Sequence, residues 1–126
     1  MRKKDELAVR RLFEQYYENE FKRPNVPSID RREFGFFFFG QQGMVRHLAF
    51  SNEGSLVSYM RKKAPLHAYY SSAYYERPSA SDMDAKGWLG ADLIFDLDAD
   101  HFNVPCKEEH DSWRCLDCGT VGRGSK

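Results

Sequence analysis

Five phenylalanines stand in six consecutive positions, Phe34-Gly-Phe-Phe-Phe-Phe39, and this run limits the folds open to the chain. In a strand, successive side chains point to opposite faces. Phe34, Phe36 and Phe38 therefore share one face, and Phe37 and Phe39 share the other. A strand apolar on both faces belongs in a covered sheet, so at least one face is expected to meet a helix. The segment from about Asp5 to Lys22 supplies one: Val9, Phe13, Tyr16, Tyr17 and Phe21 recur at helical spacing with Leu12 beside them. Arg2, Lys3, Lys4, Arg10 and Arg11 cover its other side, and Pro24 and Pro27 break it.

Further elements alternate. Met44–Phe50 reads as a second strand, joined to the first by a turn at Gly40-Gln-Gln-Gly43. Ser55 to Lys63 has a short amphipathic helical pattern with Leu56, Tyr59 and Met60 inward, ended by Pro65. His67–Tyr75 is aromatic and strand-like, Pro78 to Lys86 reads as a polar loop, and a last strand is expected from Ala91. Strands, helices and an antiparallel hairpin in this mixture imply an α+β fold, a mixed or antiparallel sheet with flanking helices. The chain has 126 residues, enough for one modest domain, and no run long and apolar enough for a membrane span. Nineteen basic and nineteen acidic residues cancel, so whole-chain charge does not favour nucleic acid. Any such argument must rest on local patches.

The last expected strand runs into Leu93-Ile-Phe-Asp-Leu-Asp-Ala-Asp-His101. On a strand Asp96 and Asp98 share a face, and Phe95 and Leu97 the opposite one. Two carboxylates so close repel unless a cation lies between them. Mg²⁺ or Mn²⁺ suits this donor set, since hard cations take carboxylates, waters and substrate phosphates. The other reading is a strand end with solvated acids.

All three cysteines fall in Cys106-x3-His110-x4-Cys115-x2-Cys118. An odd count argues against a complete disulfide framework, and Met1-Arg-Lys-Lys-Asp-Glu6 has no apolar leader. A zinc knuckle of three thiolates and an imidazole, closed and structural, fits this spacing. A redox pair or free thiols is the alternative. Gly119 to Lys126 is glycine-rich and basic and reads as a loop.

Taken in order, Arg32-Glu33-Phe34, Tyr74-Tyr-Glu-Arg-Pro78, Gly90–His101 and the Cys/His knuckle resemble the small catalytic subunit of archaeal and eukaryotic DNA primase, most closely its archaeal branch. The resemblance implies a partial primase core over residues 1–101, a zinc knuckle inserted at 102–120 and a glycine-rich end at 121–126. It implies that Asp96 and Asp98 hold catalytic Mg²⁺ or Mn²⁺, and that Cys106, His110, Cys115 and Cys118 hold structural zinc. It places Glu33 beside the catalytic site, with a plain strand-edge charge as the alternative. Arg77 would neutralise carboxylates or touch a phosphate, or else form a salt bridge. Asp100 and His101 follow the metal pair; a helix-start or loop position suits His101 better than orienting a ligand. The expected reaction is metal-dependent primer synthesis from nucleoside triphosphates on single-stranded DNA. The expected partner is the primase large subunit, and the expected setting the archaeal cytoplasm, or the nucleus in a eukaryote. The family's third metal-site aspartate and its serine/histidine phosphate motif lie downstream of the knuckle, and Val121–Lys126 does not supply them. The chain is therefore expected to be the N-terminal part of such a subunit. Two further readings stay open. One is a zinc-knuckle module that binds nucleic acid without chemistry, using Tyr69, Tyr70, Tyr74 and Tyr75 near Arg61, Lys62 and Lys63. The other is a repair polymerase of the same superfamily.

Overall fold

The computed structural model describes residues 3–97 and 112–123. The chain divides into two compact units, Met1–Leu93 and Ile94–Lys126.

The first unit opens with helix α1, Lys3–Asn19. Strands β1 (Phe34–Phe37) and β2 (Val45–Leu48) follow, then helix α2 (Glu53–Lys63) and strand β3 (His67–Tyr70). These three strands form an antiparallel sheet in the order β2-β1-β3. Strand β4 (Ala73–Tyr75), the short helix α3 (Met83–Lys86) and strand β5 (Trp88–Ala91) complete the unit, with β4 and β5 paired antiparallel in a second sheet.

The phenylalanine run behaves as expected on one face. Phe34 and Phe36 are buried with Tyr17 of α1, Leu56 and Met60 of α2, Val26 and Ala64, and Phe13, Phe21, Phe38 and Tyr59 pack around them. Phe36 has no exposed surface at all. The Tyr17 hydroxyl donates to the Pro65 carbonyl at 3.0 Å and ties α1 to the end of α2. Asn52 caps α2 by accepting from the Ser55 N–H at 2.9 Å. Arg61, Lys62 and Lys63 occupy its last turn, where cations suit the helix dipole. On the other face of β1, among the described residues, neither long helix packs. A side chain at Gly35 would come within 2.6 Å of the Met44 sulfur, and Phe37 lies between His67 and Tyr69 at ring distances of 5.9 and 6.2 Å.

Sequence and structure part at four places. The aromatic segment His67–Tyr75 is two strands in two sheets, because Arg32 captures the carbonyls of Ser71 and Ser72 at 2.8 and 3.2 Å and diverts the backbone between them. The polar segment Pro78–Lys86 contains α3. The strand expected from Ala91 through the paired aspartates ends at Ala91. One further bond joins Asp92 N–H to Ser72 O at 2.9 Å, and the next antiparallel partner, Ser71, is already bound to Glu33. Leu93 to Leu97 lie exposed and join no ladder among the described residues. Finally, the glycine-rich end, expected as a loop, contains a strand over Val121–Arg123.

The second unit contains strands β6 (Ser112–Arg114) and β7 (Val121–Arg123), paired antiparallel. Gly119, at φ 73°, lets the chain reverse between them. The expected limit at residue 101 lies outside the described residues. Among the described residues no helix is long and apolar enough to cross a membrane.

Candidate functional site

A β-bulge builds the best-defined polar site. Phe34 pairs with Leu48 and Phe36 with Val45, so Arg46 and His47 together face Gly35 alone. His47 takes φ 60°, a left-handed conformation unusual for a residue with a side chain. The bulge turns both residues of β2 toward one carboxylate, that of Glu33 at the start of β1.

Glu33 is buried and bound on both oxygens. Oε1 accepts from the His47 backbone N–H at 3.2 Å and lies 3.3 Å from Arg46 Nη2 and from His47 Nδ1. Oε2 lies 3.2 Å from Lys86 Nζ. Burial pushes the Glu33 carboxyl up, but the His47 N–H, the Lys86 ammonium and Arg46 outweigh it and hold it below the ordinary carboxylate range. Glu33 and Arg46 line a cavity of about 370 Å³ with Gly35, Met44, Tyr69, Tyr70, Ser71 and Tyr75. The Glu33 side chain is only 8% exposed.

Beside it, Arg32 forms the second polar centre. Its guanidinium is 1% exposed and donates to Pro27 O at 3.0 Å, to the Ser71 and Ser72 carbonyls and to the Tyr74 hydroxyl at 2.9 Å. It also pairs with Asp92 at 2.6 Å. It lies over the Tyr74 ring, 4.1 Å from the centroid. The Tyr74 hydroxyl donates to Asp92. That hydrogen bond and Arg32 hold the Asp92 carboxyl low, and the same bond to Asp92 pushes the Tyr74 hydroxyl up. These contacts fix the point where the chain leaves β5 for the paired aspartates.

The other expected site residues fall in both units or outside the described residues. Arg77 is exposed; its Nε donates to the Ala85 carbonyl at 2.8 Å, and its nearest carboxylate is Glu76 at 3.9 Å. The bond to Ala85 ties it to α3. Asp96 is exposed in the second unit, and Asp98 lies outside the described residues. Asp96 offers the hard oxygen donor that Mg²⁺ or Mn²⁺ takes. Cys115 and Cys118 stand at the β6–β7 turn, where Cys115 N–H donates to Thr120 O at 2.8 Å and Gly119 N–H to Cys115 O at 3.0 Å. The Cys118 thiol is lowered to about 7, first by the Thr120 hydroxyl 3.1 Å away, then by backbone N–H groups and Cys115. A thiol drawn toward thiolate is the form that binds zinc, so this half of the expected tetrahedron has the right chemistry. Cys106 and His110 lie outside the described residues, as do Asp100 and His101.

Of the four tyrosines, Tyr69 and Tyr70 are half-exposed on the cavity rim, Tyr75 is buried and Tyr74 is occupied by Arg32. Arg32 also lies over the Tyr70 ring, 5.3 Å from its centroid. The expectations also passed over Lys86, Arg46 and His47. The adjacent polar pair Arg46-His47 inside a strand pattern was a usable sign of a bulge. Lys86 had no sign beyond the helix-ending Lys-Gly pair.

No family model matches the sequence. The chain is similar to the DNA primase small subunit PriS of Pyrobaculum arsenaticum, 50% identical over 108 residues, which is 84% of this chain and 34% of that protein. It is 48% identical to PriS of Sulfurisphaera tokodaii over 101 residues, 79% of this chain and 31% of that protein. Against PriS of Methanocella arvoryzae the identity is 49% over 96 residues, 74% of this chain and 24% of that protein. The chain spans about a third or less of the length of these curated relatives. Across that span it belongs to the archaeal DNA primase small-subunit family.

Proposed function

We propose that this chain is part of a primase catalytic subunit that starts primers from nucleoside triphosphates on a single-stranded DNA template. The observation that carries the reading is near 50% identity to primase small subunits across some four-fifths of the chain, including the Glu33 site and the approach to Asp96. In this reading Asp96 and Asp98 hold Mg²⁺ or Mn²⁺, which when bound lowers the charge on the phosphates and favours attack by a primer hydroxyl. The chain's own residues do the rest by position. Arg32 and Asp92 set where the segment leading to the aspartates departs, and Glu33 holds Arg46 beside the cavity. Phosphoryl transfer asks little covalent chemistry of a protein; placement and electrostatics dominate. Cys106, His110, Cys115 and Cys118 hold a zinc ion that shapes the segment after Asp98. A small subunit implies a large one as partner, and replication places the pair in the archaeal cytoplasm.

The test is dinucleotide synthesis on a single-stranded template by a full-length small subunit carrying these residues, with its large subunit, Mg²⁺ or Mn²⁺ and nucleoside triphosphates. Synthesis lost in Asp96→Ala, with template binding retained, supports the reading. Synthesis unaffected by the substitution overturns the role of Asp96. Template binding without synthesis in the unsubstituted enzyme leaves the non-catalytic nucleic-acid module in its place, for which the half-exposed Tyr69 and Tyr70 beside Arg46 are the favouring observation.

A further inference from the structure

Lys86 is the most deeply buried charge in the described chain, with 0% exposure. A lone ammonium in that position would be driven to lose its proton or to unfold its surroundings. An ammonium has three hydrogens to donate, and three acceptors surround this one: Glu33 Oε2 at 3.2 Å, His47 Nδ1 at 2.9 Å and the Ala80 carbonyl. The Tyr75 ring lies 5.6 Å from the same nitrogen and covers a fourth side. Donation to Nδ1 leaves the proton of a neutral His47 ring on Nε2.

The backbone around Lys86 is arranged to deliver it. Asp82 caps α3 by accepting from the Asp84 N–H at 3.0 Å, and Gly87 ends it at φ 67°. Arg77 N–H donates to Lys86 O and Glu76 N–H to Gly87 O, both at 2.9 Å. The loop after β4 thus clasps α3 and drives its last side chain under the sheet. A structural lysine would need only any carboxylate there. This one meets the single oxygen of Glu33 left over by β2, since Arg46 and the His47 N–H both take Oε1.

We propose that Lys86 is a positioning residue for the cavity: it clamps Oε2 of Glu33, fixes the plane of that carboxylate, and so leaves Oε1 and Arg46 facing the cavity. The proposal deepens the primase reading and rests on it for the catalytic consequence. Without Lys86 the carboxylate has cationic partners on one side only, rotates toward Arg46 and takes that guanidinium out of the cavity.

The decisive comparison uses the full-length small subunit with its large subunit, in four forms: unsubstituted, Lys86→Met, Glu33→Gln and the double variant. Lys86→Met should lower kcat for primer synthesis at least tenfold, by a factor close to that of Glu33→Gln, with a smaller change in KM for nucleotide. The double variant should be no slower than Glu33→Gln alone, because Lys86 acts through Glu33. A Lys86→Met enzyme within threefold of the unsubstituted kcat overturns the proposal, as does a further tenfold loss on adding Lys86→Met to Glu33→Gln. Should Lys86→Met not fold, nitrogen-15 NMR of the lysine ammonium groups in the otherwise unsubstituted chain decides. One slowly exchanging ammonium signal that moves on Glu33→Gln is the expected result; no such signal, or one indifferent to Glu33→Gln, overturns it. Absence of primer synthesis by the unsubstituted enzyme would remove the primase reading alone, and the ammonium measurement would still judge the clamp.

Discussion

Glu33 and Asp92 are both carboxylates held below their ordinary range, Glu33 by the His47 N–H, Lys86 and Arg46 against the opposing effect of burial, Asp92 by Tyr74 and Arg32. The consequence for pH has a definite sign. An unfolded chain takes up these protons near the ordinary carboxyl value of about 4, and the folded chain only below it. Their stabilisation is therefore complete at neutral pH and is lost as pH falls through the depressed folded values. Thermal unfolding of the chain and of Glu33→Gln should differ by a constant margin above about pH 5, and the margin should shrink as pH falls further. A margin that stays unchanged down to about pH 3 would show that Glu33 gains nothing from its partners on ionising. At this scale the sequence was a partial guide. Arg-Glu-Phe marked Glu33 by resemblance, but nothing local says that Lys86 reaches it, because that contact joins residues 53 positions apart through a helix only four residues long.

The elements were more legible where packing follows a simple period. Both long helices and the two strands of the hairpin follow from the spacing of Phe13, Tyr17, Leu56, Met60 and the phenylalanine run, since each presents one apolar face to one core. That the run is apolar on both faces suggested cover on both. The structure gives a helical cover to Phe34 and Phe36, leaves Gly35 on the cavity wall and sets Phe37 against His67 and Tyr69. Phe36→Ala should cost roughly 3–5 kcal/mol, while Phe37→Ala, with one side open, should cost roughly half as much or less; denaturant unfolding of the two variants checks this, and equal losses would mean that both faces are equally packed. The break between β3 and β4 was not legible. An aromatic run of nine residues carries a strand pattern throughout, and only a buried guanidinium from a distant position stops the ladder. Local pattern carries no information about such a capture.

For the whole molecule, the two units differ in what can hold them together. The first has a shared apolar core. In the second, the described β6–β7 hairpin exposes Leu116 and Val121, and the proposed zinc would supply local folding free energy there. Purified chain should retain about one zinc ion per molecule, as structural sites of this ligand type do, and Cys115→Ser should lose it. Metal content near zero in the unsubstituted chain, or undiminished in the variant, would leave the knuckle without a role. The resemblance reached the right family because four motifs occur in one order, a property of the whole sequence that no single motif carries. The strand expected to carry the aspartates ends, among the described residues, at Ala91, before Asp96.

The guanidinium that closes the ladder at Ser71 and Ser72 therefore has an effect at a distance from its own contacts. By ending β5 at Ala91 it leaves Leu93, Ile94, Phe95 and Leu97 as an exposed apolar segment with no neighbouring strand among the described residues. Such a segment recruits strands from other molecules. Concentrated solutions of the chain should self-associate reversibly at first and then precipitate, and Phe95→Lys should raise the concentration at which light scattering begins without moving the unfolding temperature. Equal scattering from both would place the sticky surface elsewhere. The limit on handling these residues would then be colloidal, set by an edge that is extended and greasy, while the fold behind it remains intact.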